Sequence, residues 1–169
     1  HNAVHDNLTG LPNRELYLDR LEAAIAFAKQ EDGVKPTIIT FDLDGYKKVN
    51  EAVGLTVGDT ILLTIVRRVS RLMKEQDSLA RLGGDQFGII LVSETNPDRI
   101  TKMASQLRKS IRAPITFAGR EIILTASIGV WLYDSNMTAT REDILRNAEV
   151  TMFHAKRGWW RTIEAIRKA

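Results

Sequence analysis

The stretch Leu79-Ala-Arg-Leu-Gly-Gly-Asp-Gln-Phe-Gly-Ile-Ile-Leu-Val92 decides how this chain is read. Two short apolar runs flank Gly83, Gly84 and Asp85, and a Gly-Gly step between such runs marks a hairpin with a tight turn. Upstream, Pro36-Thr-Ile-Ile-Thr-Phe-Asp-Leu43 is short and β-branched, which predicts a buried strand ending at Asp42, Leu43 and Asp44. Downstream, Ile115 to Phe117, Gly119 and Glu121 to Leu132 predict a second hairpin. Helical spacing fills the rest. Asn13 to Gln30 carries Leu18, Leu21, Ile25 and Ala28 on one face, and a short helix follows around Tyr46 to Val53. Thr56 to Glu75, Asn96 to Arg112 and Arg141 to Lys156 repeat the pattern. Because the strands pair as hairpins, the expected class is α+β: a central, mostly antiparallel sheet wrapped by helices.

Composition narrows the function. At 169 residues with 44% hydrophobic and 27% charged residues, the chain has the balance of one soluble domain over 1–169 that needs no staples. It has no cysteine, which excludes disulfides, thiolate zinc sites and a cysteine nucleophile and fits a reducing compartment. Only His1, His5 and His154 are available as imidazoles, too few for a His-rich metal site. A net charge of +3 suits an anionic ligand. No basic stripe with interleaved aromatics appears, so no nucleic-acid partner is expected. No apolar run approaches the ~20 residues of a membrane span, and no signal peptide leads the chain. We therefore expect a cytoplasmic domain without membrane contact of its own, in a parent protein that can still be membrane-anchored. From a start at His1 rather than Met, the chain is expected to be a piece of a longer protein.

Two carboxylates fall where chemistry would want them. Asp42 closes a buried strand and Asp85 sits in the Gly-Gly turn. If the two strand pairs are neighbours, both can share one cation. Hard oxygen ligands of this kind suit Mg²⁺, which keeps several waters and takes further oxygens from substrate phosphates. Gly83 and Gly84 would let a nucleotide approach the backbone closely. On spacing alone the plainer alternative stays open, that Gly-Gly only makes the turn and Asp85 is a solvated turn residue.

A resemblance weighs against that alternative. Arg81-Leu-Gly-Gly-Asp-Gln-Phe87 resembles the signature of the GGDEF domain, the diguanylate cyclase module of bacterial signalling. Asp6-Asn-Leu-Thr-Gly-Leu-Pro-Asn-Arg14 and Phe41-Asp-Leu-Asp-Gly-Tyr-Lys47, with Asn50 and Gly58-Asp59 downstream, resemble further segments of that family. Ser127-Ile-Gly-Val130 and Ala148 through Lys156 resemble its C-terminal half, and all five run in family order. The resemblance implies a nucleotidyl-cyclase, palm-like (ferredoxin-like) fold. It also implies condensation of two GTP into cyclic di-GMP with loss of pyrophosphate, each subunit of a homodimer holding one GTP. By the same resemblance, Asp42, the Leu43 carbonyl and Asp85 would hold Mg²⁺, and Lys47 and Lys156 would meet the phosphates. Asn50 and Asp59 would read the guanine edge, with Gly83 and Gly84 beside the nucleotide.

Departures from the pattern separate binding from turnover. Gln86 stands where the family has a glutamate at the reaction centre. It keeps the size and loses the charge, so it cannot serve as a base and ligates Mg²⁺ poorly. Reintroducing the carboxylate is expected to restore some turnover. Leu55 replaces a histidine and Glu51 an aspartate. Lys74-Glu-Gln-Asp77 stands where many active cyclases carry an Arg-x-x-Asp product-inhibition motif, and lysine lacks arginine's planar fork. Lys74 and Asp77 are therefore read as a degenerate inhibitory site. The tail from Ala155 to Glu164 resembles the exit from GGDEF domains followed by an EAL phosphodiesterase domain. Trp159 and Trp160 in it read as a packing or interface patch. The expected function is a GTP-binding regulatory domain with weak or no cyclase activity, joined to an EAL domain and an upstream sensor. The alternatives are an active diguanylate cyclase and a nucleotide-free dimerisation module.

Overall fold

The structure is a computed structural model that describes residues 3–30, 33–136 and 138–155. Helix α1 (Arg14–Ala28) precedes strand β1 (Thr37–Asp44), then come α2 (Tyr46–Val53), α3 (Leu55–Ser70), β2 (Ser78–Gly83) and β3 (Gln86–Leu91). Helix α4 (Pro97–Arg112), strands β4 (Ile115–Phe117), β5 (Arg120–Ile122) and β6 (Thr125–Leu132), and helix α5 (Arg141–Ala155) complete the order. The main sheet runs β2-β3-β1-β6, every neighbouring pair antiparallel. Long β1 sits in the centre because Ile38, Ile39, Phe41 and Leu43 are all almost fully buried, which only a strand covered on both faces achieves.

Side-chain alternation along β1 assigns the two faces. Ile39, Phe41 and Leu43 point into the larger core with Ile61, Leu62 and Ile65 of α3 and Ile100, Ala104 and Leu107 of α4. Ile38 points into the second core with Tyr17 and Leu21 of α1 and Ile144, Leu145 and Ala148 of α5. Thr40 shares that second face and donates its hydroxyl to the Ala148 carbonyl at 3.0 Å. Asp42 and Asp44 fall on the same side as Thr40, so the end of β1 presents its carboxylates toward α1 and α5.

Two close approaches set those helices. A Cβ at Gly129 of β6 would collide with the Met152 amide nitrogen, so α5 rests directly on the strand backbone. A Cβ at Gly88 of β3 would meet the Tyr17 ring, whose hydroxyl reaches past it to the Ile89 carbonyl at 2.9 Å. Asn13 caps α1 by accepting from the Leu16 amide, and Asn96 caps α4 through the Asp98 and Arg99 amides.

The expected elements are present with shifted ends. The second hairpin is smaller than the sequence predicts. It closes within β4 and β5, and the long apolar run after it becomes β6, which pairs with β1 along its whole length. Eight antiparallel pairs with a central strand outweigh three at a hairpin tip. In α1, Tyr17 takes the deepest place, while Leu18 is only half-buried at the core's margin.

Candidate functional site

The β2–β3 turn is built for one conformation. Gly83 pairs with Gln86, leaving Gly84 and Asp85 as the two turn residues, and Gly84 has φ +40°, a sign that favours glycine. A register shift between Arg81 and Gly83 twists the strand into it. Arg81 braces the turn from below. Its Nε donates to the Gly84 carbonyl at 2.9 Å, and its Nη1 meets both carboxylate oxygens of Asp6 at 3.2 and 3.3 Å. Asp6 also accepts from the Thr9 amide and hydroxyl. Burial alone would raise the Asp6 pKa, but these hydrogen bonds and the Arg81 charge outweigh it and hold the carboxyl below its ordinary value.

Asp42 and Gln86 are directly opposite in the β1–β3 ladder, and Asp42 faces Ser127 on β6. The Leu43 amide donates to the Asp85 carbonyl at 3.1 Å, which brings the turn against the end of β1. The two strand pairs are thus neighbours, as a shared site requires. Asp44 is absorbed differently: it accepts from the Thr125 and Ser127 hydroxyls at 3.1 and 2.9 Å, strapping β1 to β6. Among the described residues no three His, Asp or Glu side chains cluster, so a metal here would have to draw on two carboxylates and backbone oxygen. That donor set, Asp42, Asp85 and the Leu43 carbonyl, fits a hard divalent ion that draws further oxygens from water or phosphate.

Immediately beyond β1, Gly45 turns the chain and α2 begins, with Lys47 exposed on its first turn. Asn50 lies one turn further on. A Cβ at Gly58 of α3 would land on Asn50 Oδ1, so the Asn50 side chain crosses from α2 to lie against α3 one residue before Asp59. That Oδ1 is buried and has no hydrogen-bond partner. Tyr46 ties the region together by donating its hydroxyl to the Gly58 carbonyl at 3.1 Å. Burial raises the Tyr46 pKa; the charges of Asp59 and Asp85 raise it further, while the Asn50 side chain and Arg81 pull it down. Tyr46 therefore lies within electrostatic reach of both the Asn50–Asp59 pair and the Gly-Gly turn.

The remaining expected residues separate. Asp77 is fully used as a bracket: its oxygens accept from the Lys74, Val92 and Ser93 amides and the Ser93 hydroxyl. Lys74 is exposed beside it. Leu55 is 71% exposed at the start of α3. Lys156, Trp159 and Trp160 lie outside the described residues. A cleft of about 740 Å³, lined by Asp6, Asn13, Arg14, Arg81, Gly83 and Gly84, opens on the α1 side of the turn. Sequence reasoning assigned no role to Asp6, Arg14, Arg81 or Glu149, although all four lie within motifs it quoted.

The antiparallel order β2-β3-β1-β6 is that of a ferredoxin-like sheet, with carboxylates at a hairpin turn and at a strand end. The chain matches the family described as "Diguanylate cyclase, GGDEF domain" over residues 3–159, and it belongs to that family. It is 41% identical over 154 residues to the bifunctional diguanylate cyclase/cyclic di-GMP phosphodiesterase MucR of Pseudomonas aeruginosa, covering 91% of this chain and 22% of that protein. It is 34% identical to the diguanylate cyclase TpbB of the same species, covering 93% and 36%. Among solved structures, a sensory box/GGDEF family protein from Caulobacter crescentus superposes with a TM-score of 0.83 at 34% identity, covering 92% of this chain and 99% of that one. The chain spans only about a fifth to a third of these curated relatives. Among the described residues no helix is long and apolar enough to cross a membrane.

Proposed function

We propose that this GGDEF domain binds GTP with Mg²⁺ and acts as a regulatory domain with weak or no cyclase activity. The observation that carries the reading is the buried, unpartnered Oδ1 of Asn50 beside Asp59, close to a turn that bears Asp85 and Gln86. An unsatisfied buried acceptor is costly, and a ligand N–H there would relieve it. Asp59 supplies only acceptors, matching the N1–H and amino donors of guanine, whereas adenine offers no N1–H. Asp42, Asp85 and the Leu43 carbonyl would hold the metal. The α2 N-terminus with Lys47, and Lys156, would meet the phosphates. When bound, Mg²⁺ neutralises phosphate charge and positions the α-phosphate. The neutral Gln86 leaves the reaction centre without its carboxylate, which is the basis for the regulatory role.

The names of the relatives support a place in cyclic di-GMP signalling, next to phosphodiesterase and sensor domains in a longer protein. An EAL neighbour, an upstream sensor and a homodimer are part of this proposal. Calorimetric titration with GTP and with ATP, each in Mg²⁺, tests it. Binding of GTP well ahead of ATP is the expected result. Equal affinity for both would remove the guanine-reading assignment, and no binding of either would leave a nucleotide-free interaction module.

A further inference from the structure

We infer that Glu149 is a positioning residue for the signature turn: it holds the side chain at position 86 and selects an amide there over a carboxylate. Gln86 Nε2 donates to Glu149 Oε2 at 2.6 Å, joining β3 to α5. The other oxygen, Oε1, accepts from Arg14 Nη2 of α1 at 3.2 Å. The Glu149 side chain is 25% exposed, so this chain of contacts is shielded at its centre and open at Arg14, which is 47% exposed. Tyr17, fully buried beneath, has its phenol pushed up first by burial and then by the Glu149 charge, which places that charge against the second core.

The arrangement has a direction. A carboxylate only accepts and a guanidinium only donates, so the group that meets Glu149 from β3 has to be a donor. Glutamine supplies one, in a short charge-assisted bond. A glutamate of the same length would bring a second carboxylate to the same contact. Gln86 is thus more than an absent base: its neighbour on α5 matches the amide. Replacing Gln86 by glutamate alone sets two like charges together, and the partner must change with it. The part of this inference that concerns turnover rests on the proposed GTP-binding function; the part that concerns the contact does not.

A double-mutant cycle in denaturant unfolding of the 169-residue chain tests the contact. Gln86→Glu is expected to raise the unfolding equilibrium constant about tenfold. Combining it with Glu149→Gln, which reverses donor and acceptor, is expected to return most of that loss. Additive effects of the two substitutions would overturn the inference. In ¹⁵N spectra, the Gln86 side-chain amide signal, identified by its disappearance in Gln86→Glu, is expected to move in Glu149→Ala; an unmoved signal would overturn the contact independently of stability. For turnover, the pair is expected to exceed Gln86→Glu alone at least tenfold when GTP is bound, and equal rates would overturn the selection. Failure of GTP to bind any variant would sink the proposed function instead, while the unfolding cycle still decides the role of Glu149.

Discussion

Arg81 links Asp6 to the Gly84 carbonyl, so the loop at the start of the chain and the signature turn are one structural unit. The Arg81 amide also donates to the Pro12 carbonyl at 3.0 Å. With side-chain exposures of 16% and 23%, the pair is half-shielded, which places it above an exposed ion pair and below a buried one.

Asp6→Ala is expected to destabilise the domain by about 1–2 kcal/mol, within the range for hydrogen bonds to charged groups at a partly open site. The pH dependence has a definite sign. The folded pKa of Asp6 lies below 3.8, so its contribution is complete above that value and is lost as pH falls through the folded pKa. Asp6→Asn is therefore expected to narrow the stability gap to wild type as pH falls below 3.8, measured by urea midpoints at several pH values. A gap that widens on acidification would contradict the pairing.

The seat of α5 makes a steric prediction. At Gly129 the obstruction to a Cβ is backbone, the Met152 nitrogen and the Ala148 carbonyl, which cannot rotate away. Gly129→Ala is expected to cost about 1–3 kcal/mol as an overpacking change. Tyr17→Phe removes one buried hydrogen bond, to the Ile89 carbonyl, and is expected to cost about 1–3 kcal/mol because that acceptor stays buried. Thermal unfolding checks both, and an unchanged midpoint in Gly129→Ala would show that α5 has room to shift.

The elements with strong periodicity were legible from the residues: β1, the β2–β3 hairpin and the buried faces of α3 and α4 all follow from spacing. Two features were hidden for physical reasons. The fate of Glu121 to Leu132 depends on which strand captures it, and β1 is remote in sequence. Glu149 is an ordinary helix carboxylate until folding sets α5 over β3, so no local pattern reveals its contact with Gln86. Asp77 shows the opposite case. The sequence reads it as part of a degenerate motif at a helix end, and in the fold its oxygens close a loop. Asp42 and Asp85 were readable as a pair only on the condition that their strands lie side by side, and the β1–β3 ladder meets that condition.

Gly58→Ala should act on nucleotide selection from a distance. The added methyl would occupy the position of Asn50 Oδ1, forcing that side chain out of its place. GTP affinity is expected to fall by roughly 10-fold, the loss of a bond worth ~1.4 kcal/mol, with ATP affinity little changed. Asp59→Ala removes the proposed acceptor itself and is expected to cost about 1–3 kcal/mol in GTP binding. Equal losses for GTP and ATP in both variants, read by calorimetry, would point to general unfolding of the α2–α3 region rather than guanine reading.

Metal dependence separates the role proposed for Asp42 from the one proposed for Asn50 and Asp59. If Asp42 helps hold Mg²⁺ under the triphosphate, Asp42→Ala weakens GTP binding in Mg²⁺ and matters far less in EDTA. The comparison uses the same variant under both conditions, so a folding defect would lower affinity in both. Unchanged affinity in Mg²⁺ would remove Asp42 from the metal site.

Turnover by the unaltered chain is the sharpest expectation. A positioned base contributes typically 10²–10⁴-fold, and the Gln86 amide cannot act as one at any accessible pH. Its Nε2 is also committed to Glu149, so the side chain is held by α5 as well as lacking charge. Cyclic di-GMP formation is therefore expected to be very slow or undetectable, even at saturating GTP and Mg²⁺. If two subunits each contribute one nucleotide to the product, as proposed, whatever rate remains rises faster than linearly with dilute protein. Chromatographic product analysis over a range of protein concentrations reads both features. Robust formation of cyclic di-GMP would refute the regulatory reading and show that this site completes the reaction without a carboxylate at position 86.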